Sequence, residues 1–418
     1  MSKDHKDFFK KKNEWSVIKD DLLGGYLPQY FQKVLTTRKP IYYVDCFAGK
    51  GKFDDNNIGS PLIALEAIKK SMNQSRFGPS WDAIETCFIE LHHYAELKKN
   101  IDTFQGVYCH KEIIGDKFES NIQTKLKGKR GYNVFLYIDP YGIEALDSEL
   151  FDEFQTYGFN SIEMLINFNS FGFFRDACRA MKVEVPEDDK AFQGLEELVE
   201  YEPTEVGDSD QSRELLTRIA GGDYWKDIVI DYQDRRIDGF QAEQRLSTEY
   251  KKRLKRHYTY VLDMPIRIKR ENRPKYRMIH VCNHEEGCYL MADNMQRRKN
   301  ELFTNIQQGG QLSMFENSPV MSSTMEGEFM TEEDIKKMVR EQVHGIEEKK
   351  GLTLFEADFC NEYGIVCPFS MIHTILGSME KNGEIQIIRD PAKTTTGKIS
   401  QFWDEKGRNK VWIRRLLS

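Results

Sequence analysis

The sequence predicts an α/β fold built on a mainly parallel sheet, and three observations carry the prediction. From residue 41 onward, apolar runs rich in β-formers alternate with helical segments. The first of these runs ends in a glycine-bearing turn, and two later runs are joined by a very short link. The strand-like runs lie at 41–46, 87–91, 107–114, 134–139 and 162–168, with helical segments at 61–72, 93–101, 117–126 and 145–157 between and after them. Strands that alternate with helices pair in parallel, with helices over both faces of the sheet.

Runs 258–268 and 276–281 are separated only by 269–275, too little chain for a crossover, so they must run antiparallel. Five parallel strands closed by an antiparallel pair is the layout expected of a Rossmann-like class I methyltransferase sheet, as opposed to the all-parallel dehydrogenase sheet. Before the sheet, 1–38 is a helical segment with Trp15, Ile18, Leu22 and Leu23 at helical spacing and Gly24-Gly25 as an interruption. The Rossmann domain spans 39–302 and contains an acidic helical insertion at about 171–238. A polar linker without periodicity follows at 303–330, and 331–418 reads as a winged-helix-like domain of three helices and a basic hairpin.

Composition bounds the function. The 418 residues exceed one ordinary core, and 39% hydrophobic with 30% charged residues is the balance of a globular protein. There is no run of about 18 apolar residues, so no membrane span is expected. The charged N-terminus lacks the apolar core of a signal peptide, which makes the cytoplasm the expected compartment. The eight cysteines form no CxxC pair and read as reduced, mostly buried thiols. His92-His93, His280 and His284 lack partners at metal-ligand spacing, so no metal site is expected. The absence of GxxxxGK[ST] disfavours an ATPase motor.

A net charge of −7 argues against a protein that coats nucleic acid, yet 251–277 holds eleven Lys or Arg against two acids. Lys251, Lys252, Arg253, Lys255, Arg256, Arg267, Lys269 and Arg270, with Tyr250, Tyr258, Tyr260 and Tyr276 interleaved, are candidate phosphate contacts. The first part of that stretch reads equally as the solvated face of a helix.

Chemistry concentrates at strand ends. In Val44-Asp45-Cys46-Phe47-Ala48-Gly49-Lys50-Gly51 the two glycines let the backbone turn sharply and approach a ligand with no Cβ between. Asp45, Phe47, Gly49 and Gly51 are therefore candidate cofactor ligands. Glu90 ends the second strand, where a carboxylate either accepts the two hydroxyls of a ribose or caps the helix that follows. Asp116, after the third strand, is placed to meet an adenine ring. The fourth strand ends in Asp139-Pro140-Tyr141-Gly142, either a plain β-turn or an acceptor box. As a box, Asp139 and the Pro140 turn orient an exocyclic amine while Tyr141 stacks on its base. Such stacking contributes about 1–3 kcal/mol per base, comparable with the cost of taking a base out of a duplex.

Together with Trp15, Lys19, Gly59-Ser60-Pro61 and Ile166-Asn167-Phe168, these stretches resemble the three-Cys-motif partner family over roughly residues 10–300. The resemblance implies a methyltransferase-like fold and a separate cysteine-motif protein as partner. The Asp139 box is also similar to the Asp-Pro-Pro-Tyr box of amino-group methyltransferases, from which it departs by lacking the second proline. The expected cofactor is S-adenosylmethionine, and the expected reaction is N-methylation of a nucleic-acid base, DNA favoured over RNA. The alternative is a non-catalytic or partner-dependent nucleic-acid-binding subunit of a DNA modification, repair or defence system.

Two further segments bear on partners. Gln311-Leu312-Ser313-Met314-Phe315 resembles the peptide by which bacterial DNA enzymes bind the replication sliding clamp, with Leu312, Met314 and Phe315 as apolar anchors and Gln311 at the rim. In the last domain Ser370, His373, Thr374, Ser378 and Lys381 lie off the apolar face of the third helix, and Lys393 and Lys398 lie in the hairpin loop. These suit either a DNA groove or a protein surface.

Overall fold

The computed structural model describes residues 12, 14–74, 83–107, 109–185, 207–266, 274, 276–308, 322–323, 329–405 and 407–416. Arg267, Lys269 and Arg270 lie outside the described residues, as does the whole clamp-like segment Gln311, Leu312, Met314 and Phe315. The chain divides into two compact units, Met1–Asn283 and His284–Ser418.

The first unit is built on one Rossmann-like sheet of seven strands: β1 (Ile41–Asp45), β2 (Ile84–Ile89), β3 (His110–Ile114), β4 (Asn133–Ile138), β5 (Ser161–Phe168), β6 (Tyr260–Ile266) and β7 (Tyr276–Cys282). Their order is β3-β2-β1-β4-β5-β7-β6. β1 to β5 pair in parallel, and β7 runs antiparallel to both β5 and β6, as the short link requires. β1 and β4 are buried at every position, because helices cover both faces. The chain builds outward from β1 through β2 and β3, then returns to start β4 on the other side of β1. The carboxyl ends of β1 and β4 therefore flank the switch point where open α/β sheets bind ligands.

The N-terminal segment is one helix, α1 (Glu14–Leu35), which runs unbroken through Gly24-Gly25 and Pro28. The interruption expected at the glycines is corrected by packing: a Cβ on Gly24 would lie 3.2 Å from Ile63 Cγ2 of α2 (Ser60–Gln74), so the small residue admits a neighbouring helix. Tyr26 and Tyr30 set their rings 5.9 and 5.0 Å from Phe135 of β4 and clamp α1 to the sheet. The stretch expected as an insertion is continuous with the core. Helices Ser170–Ala180, Asp210–Ala220 and Tyr224–Gln233 bury Phe174, Leu216, Ile219, Trp225 and Val229 in the same cluster as β4 and β5. A buried ion cluster ties the antiparallel pair to helix Gly239–Leu254, with Arg277 donating to Glu243 at 2.6 and 2.7 Å and to Asp263 at 3.0 Å.

The second unit begins earlier than the sequence reading places it. Helix Glu285–Gln308 belongs here and not to the Rossmann domain, because it packs on helix Leu352–Tyr363, where Cys288 meets the Ala357 carbonyl. Helices Glu332–His344, Leu352–Tyr363 and Phe369–Lys381 bury Ile335, Phe355, Ile372 and Leu376. They are accompanied by a three-stranded antiparallel sheet of Lys350–Gly351, Lys410–Arg415 and Ile385–Asp390, in that order. Among the described residues no helix is long and apolar enough to cross a membrane.

Candidate active site

The turn after β1 is tethered on both sides. Cys46 N–H donates to the Tyr137 carbonyl of β4 at 2.9 Å, and Ala48 N–H to the Ile89 carbonyl of β2 at 3.0 Å. Gly49 and Gly51 take φ of 58° and 75°, the left-handed region that glycine tolerates without strain. Asp45, fully buried beneath the turn, accepts weakly from Phe47 N–H at 3.4 Å and leaves Oδ2 without a partner. Burial pushes its carboxyl up to about 8, against the lowering effect of the Ser60 hydroxyl.

Glu90 braces this turn and the approach to the next helix together. Its Oε2 accepts from Gly49 N–H at 2.8 Å, while Oε1 accepts from His92 and His93 N–H at 2.8 and 2.9 Å, ahead of the helix that begins at Tyr94. A carboxylate offers about four acceptor positions, so one remains, on Oε2. Asp116 sits in an exposed loop, where Asn121 and Lys117 N–H hold its carboxyl below the usual range.

Asp139 is more crowded than the sequence suggests. Lys19 of α1 donates to both its oxygens at 2.8 and 2.7 Å, Asn167 of β5 to Oδ1 at 2.6 Å, and Tyr137 to Oδ2 at 3.1 Å. All of the roughly four acceptor positions are therefore occupied. The Lys19 ammonium also lies 5.1 Å from the centre of the Tyr276 ring. Beside it, Asp20 pairs with Lys12, and burial lifts the Asp20 carboxyl to about 6.

These groups line two adjoining cavities. A small one of about 80 Å³ is walled by Ser16, Lys19, Asp20, Gly49, Gly51, Asp139, Asn167 and Tyr276. A larger one of about 520 Å³ is walled by Glu90, Asp116, Phe118 and Ala145. Phe47, Pro140 and Tyr141 line both. The larger falls in the range of about 300–1,000 Å³ typical of small-molecule sites; the smaller suits only the reactive end of a ligand. Gly49, Glu90 and Asp139 thus meet around one cleft. Ser16 and Asp20 were not singled out by sequence reasoning, although Ser16, Lys19, Asp20, Leu23, Tyr26 and Tyr30 fall at helical spacing on one face of α1.

Four of the expected nucleic-acid contacts, Lys251, Lys252, Arg253 and His373, are engaged within the chain. Lys251 is bound to Asp263, Arg253 to Asp152, and Lys252 to Glu249, so their charges are met within the chain. Lys255 and Arg256 occupy exposed positions. His373 is corrected as a groove contact: it shares a 2.6 Å hydrogen bond with buried Glu356 and stacks on Trp403 at 4.8 Å. Lys381, Lys393 and Lys398 are exposed, the last two in a small hairpin bridged from Lys393 to Ile399.

No family model matches the chain, and no curated protein matches it. Among solved structures, the plantazolicin methyltransferase BamL in complex with a triazolic desmethylPZN analogue and SAH is similar at 12% identity, over 66% of this chain and 89% of that chain, with a TM-score of 0.29.

Proposed function

We propose that the cleft binds S-adenosylmethionine and methylates an exocyclic amine of a nucleic-acid base. The observation that carries this reading is the junction of the two cavities at Phe47, Pro140 and Tyr141, on the switch point of the sheet. The residues fit the cofactor. The larger cavity has room for its nucleoside, Glu90 keeps an acceptor position for a ribose hydroxyl, and Gly49 and Gly51 leave the backbone bare for its chain. When bound, the cofactor supplies a methyl group already activated on a sulfonium. The protein's part is then positioning: Tyr141 supports the base, the Asp139 cluster holds the amine, and burial excludes water.

In the second unit, three helices with a basic hairpin support a winged-helix reading in which Lys381, Lys393 and Lys398 contact phosphates. A cysteine-motif protein and the replication clamp are the proposed protein partners. The full set of bonds on Asp139 favours a second reading, a partner-dependent subunit in which the cleft opens only when another protein draws Lys19 away. The test is transfer of labelled methyl from S-adenosylmethionine to single- and double-stranded DNA and RNA oligonucleotides. The full chain transfers, and Asp139→Ala, which misplaces the amine, loses about 100-fold. Equal transfer by both proteins would remove Asp139 from the site.

A further inference from the structure

We infer that Asn167 Oδ1, with Ser16 Oγ on the same cavity wall, is the acceptor that receives an N–H of the methyl-accepting group, and that Asp139 is its positioning residue. This rests on the methyltransferase reading of the cleft. The Asp139 oxygens are fully engaged by Lys19, Asn167 and Tyr137 and have no place for another donor while Lys19 stays. Asn167 and Ser16 line the small cavity and are 2% and 5% exposed, and their buried Oδ1 and Oγ have no partner. A buried acceptor is costly to leave unmet, so an unmet pair in a cavity wall points to a ligand.

The orientation of the amide follows from its neighbour. Asp139 can only accept when ionised, so it draws Nδ2 of Asn167 toward itself and leaves Oδ1 turned away from it, without a partner. Lys19 locks the arrangement by keeping Asp139 in place. The group that enters must then bring a donor. A neutral amine or amide N–H meets Oδ1, whereas a carboxylate or thiolate would set one acceptor against another. Ser16 Oγ, free to rotate, can give or take a second bond.

Two cofactor analogues read this directly on the full chain by calorimetry. S-adenosylhomocysteine has no group at the position of the transferred methyl; sinefungin carries an amine there. Wild type is expected to bind sinefungin about tenfold more tightly than S-adenosylhomocysteine. Asn167→Leu is expected to erase that margin while changing S-adenosylhomocysteine affinity less than about threefold. Asp139→Asn, which allows the Asn167 amide to turn over, is expected to narrow the margin in the same way. Should Asn167→Leu fail to fold, Asn167→Ala carries the same expectation. A margin that survives in a folded Asn167 variant overturns this inference alone. Failure of folded wild type to bind either analogue overturns the cofactor reading and this inference with it.

Discussion

A lysine, an amide and a phenol together fill the oxygens of Asp139, and that crowding sets what single substitutions in the cleft do. The Lys19 and Asp139 side chains are only 10% and 19% exposed, so Lys19→Met leaves a largely buried carboxylate without its counter-ion. Removing one partner of a buried pair costs about 3–5 kcal/mol, and the residual exposure places this variant near the lower end, as denaturant unfolding will show. Asp45 gives a pH dependence of definite sign. Burial raises its folded carboxyl to about 8, above its value in the unfolded chain. Its contribution to stability is therefore complete in acid and is lost as pH rises toward and through 8. Asp45→Asn should flatten that decline and melt above wild type at pH 9; since one unit of displacement corresponds to about 1.4 kcal/mol, the gain should exceed that figure. Gly49, Gly51 and Asp139 were legible in the sequence because each belongs to a local turn after an apolar run. Ser16 and Asp20 were not, because they are polar residues within an apolar helical stripe. The pairing of Lys251 and Arg253 was not legible, because the carboxylates that neutralise them, Asp263 and Asp152, stand on other elements.

At the scale of elements, the glycine turn and the antiparallel pair fix the cleft. A Cβ on Gly51 would lie 3.2 Å from Leu97 Cδ1 in addition to its positive φ. Gly51→Ala should thus cost about 1–2 kcal/mol from the left-handed backbone alone and weaken cofactor binding, measured by unfolding and by titration. Arg277→Met would leave Glu243 without its counter-ion, and Asp263 with Lys251 alone, in the core between helix Gly239–Leu254 and the β6–β7 pair. A loss of about 3–5 kcal/mol in unfolding free energy is expected; a loss under 1 kcal/mol would show that the cluster is not cohesive. The alternating apolar runs and the short link 269–275 made the sheet readable. The continuity of α1 was not, since Gly24-Gly25 looks like a break until Ile63 is seen against Gly24. Helices from 170 to 233 looked like an insertion because their apolar residues are scattered, although they complete the core around β4 and β5.

For the whole molecule, two units divide the work: the first encloses the cleft, and the second carries exposed Lys381, Lys393 and Lys398. If those lysines contact phosphates, replacing Lys393 and Lys398 by Ala should reduce the salt slope of DNA binding by up to about two, since each neutralised phosphate contributes about 0.9. An unchanged slope would take the hairpin out of the interface. The sequence marked two domains but drew the border too late, because the helix before the linker shows its apolar face without showing which core receives it. The proposed function depends on a nucleoside lying across the carboxyl ends of β1, β2 and β4. Titration calorimetry of the full chain and of Glu90→Gln with S-adenosylmethionine tests that most directly. Saturable binding at one site by wild type, weakened about tenfold or more in the variant, is the predicted result; no binding by folded wild type, or equal binding by both, would contradict it.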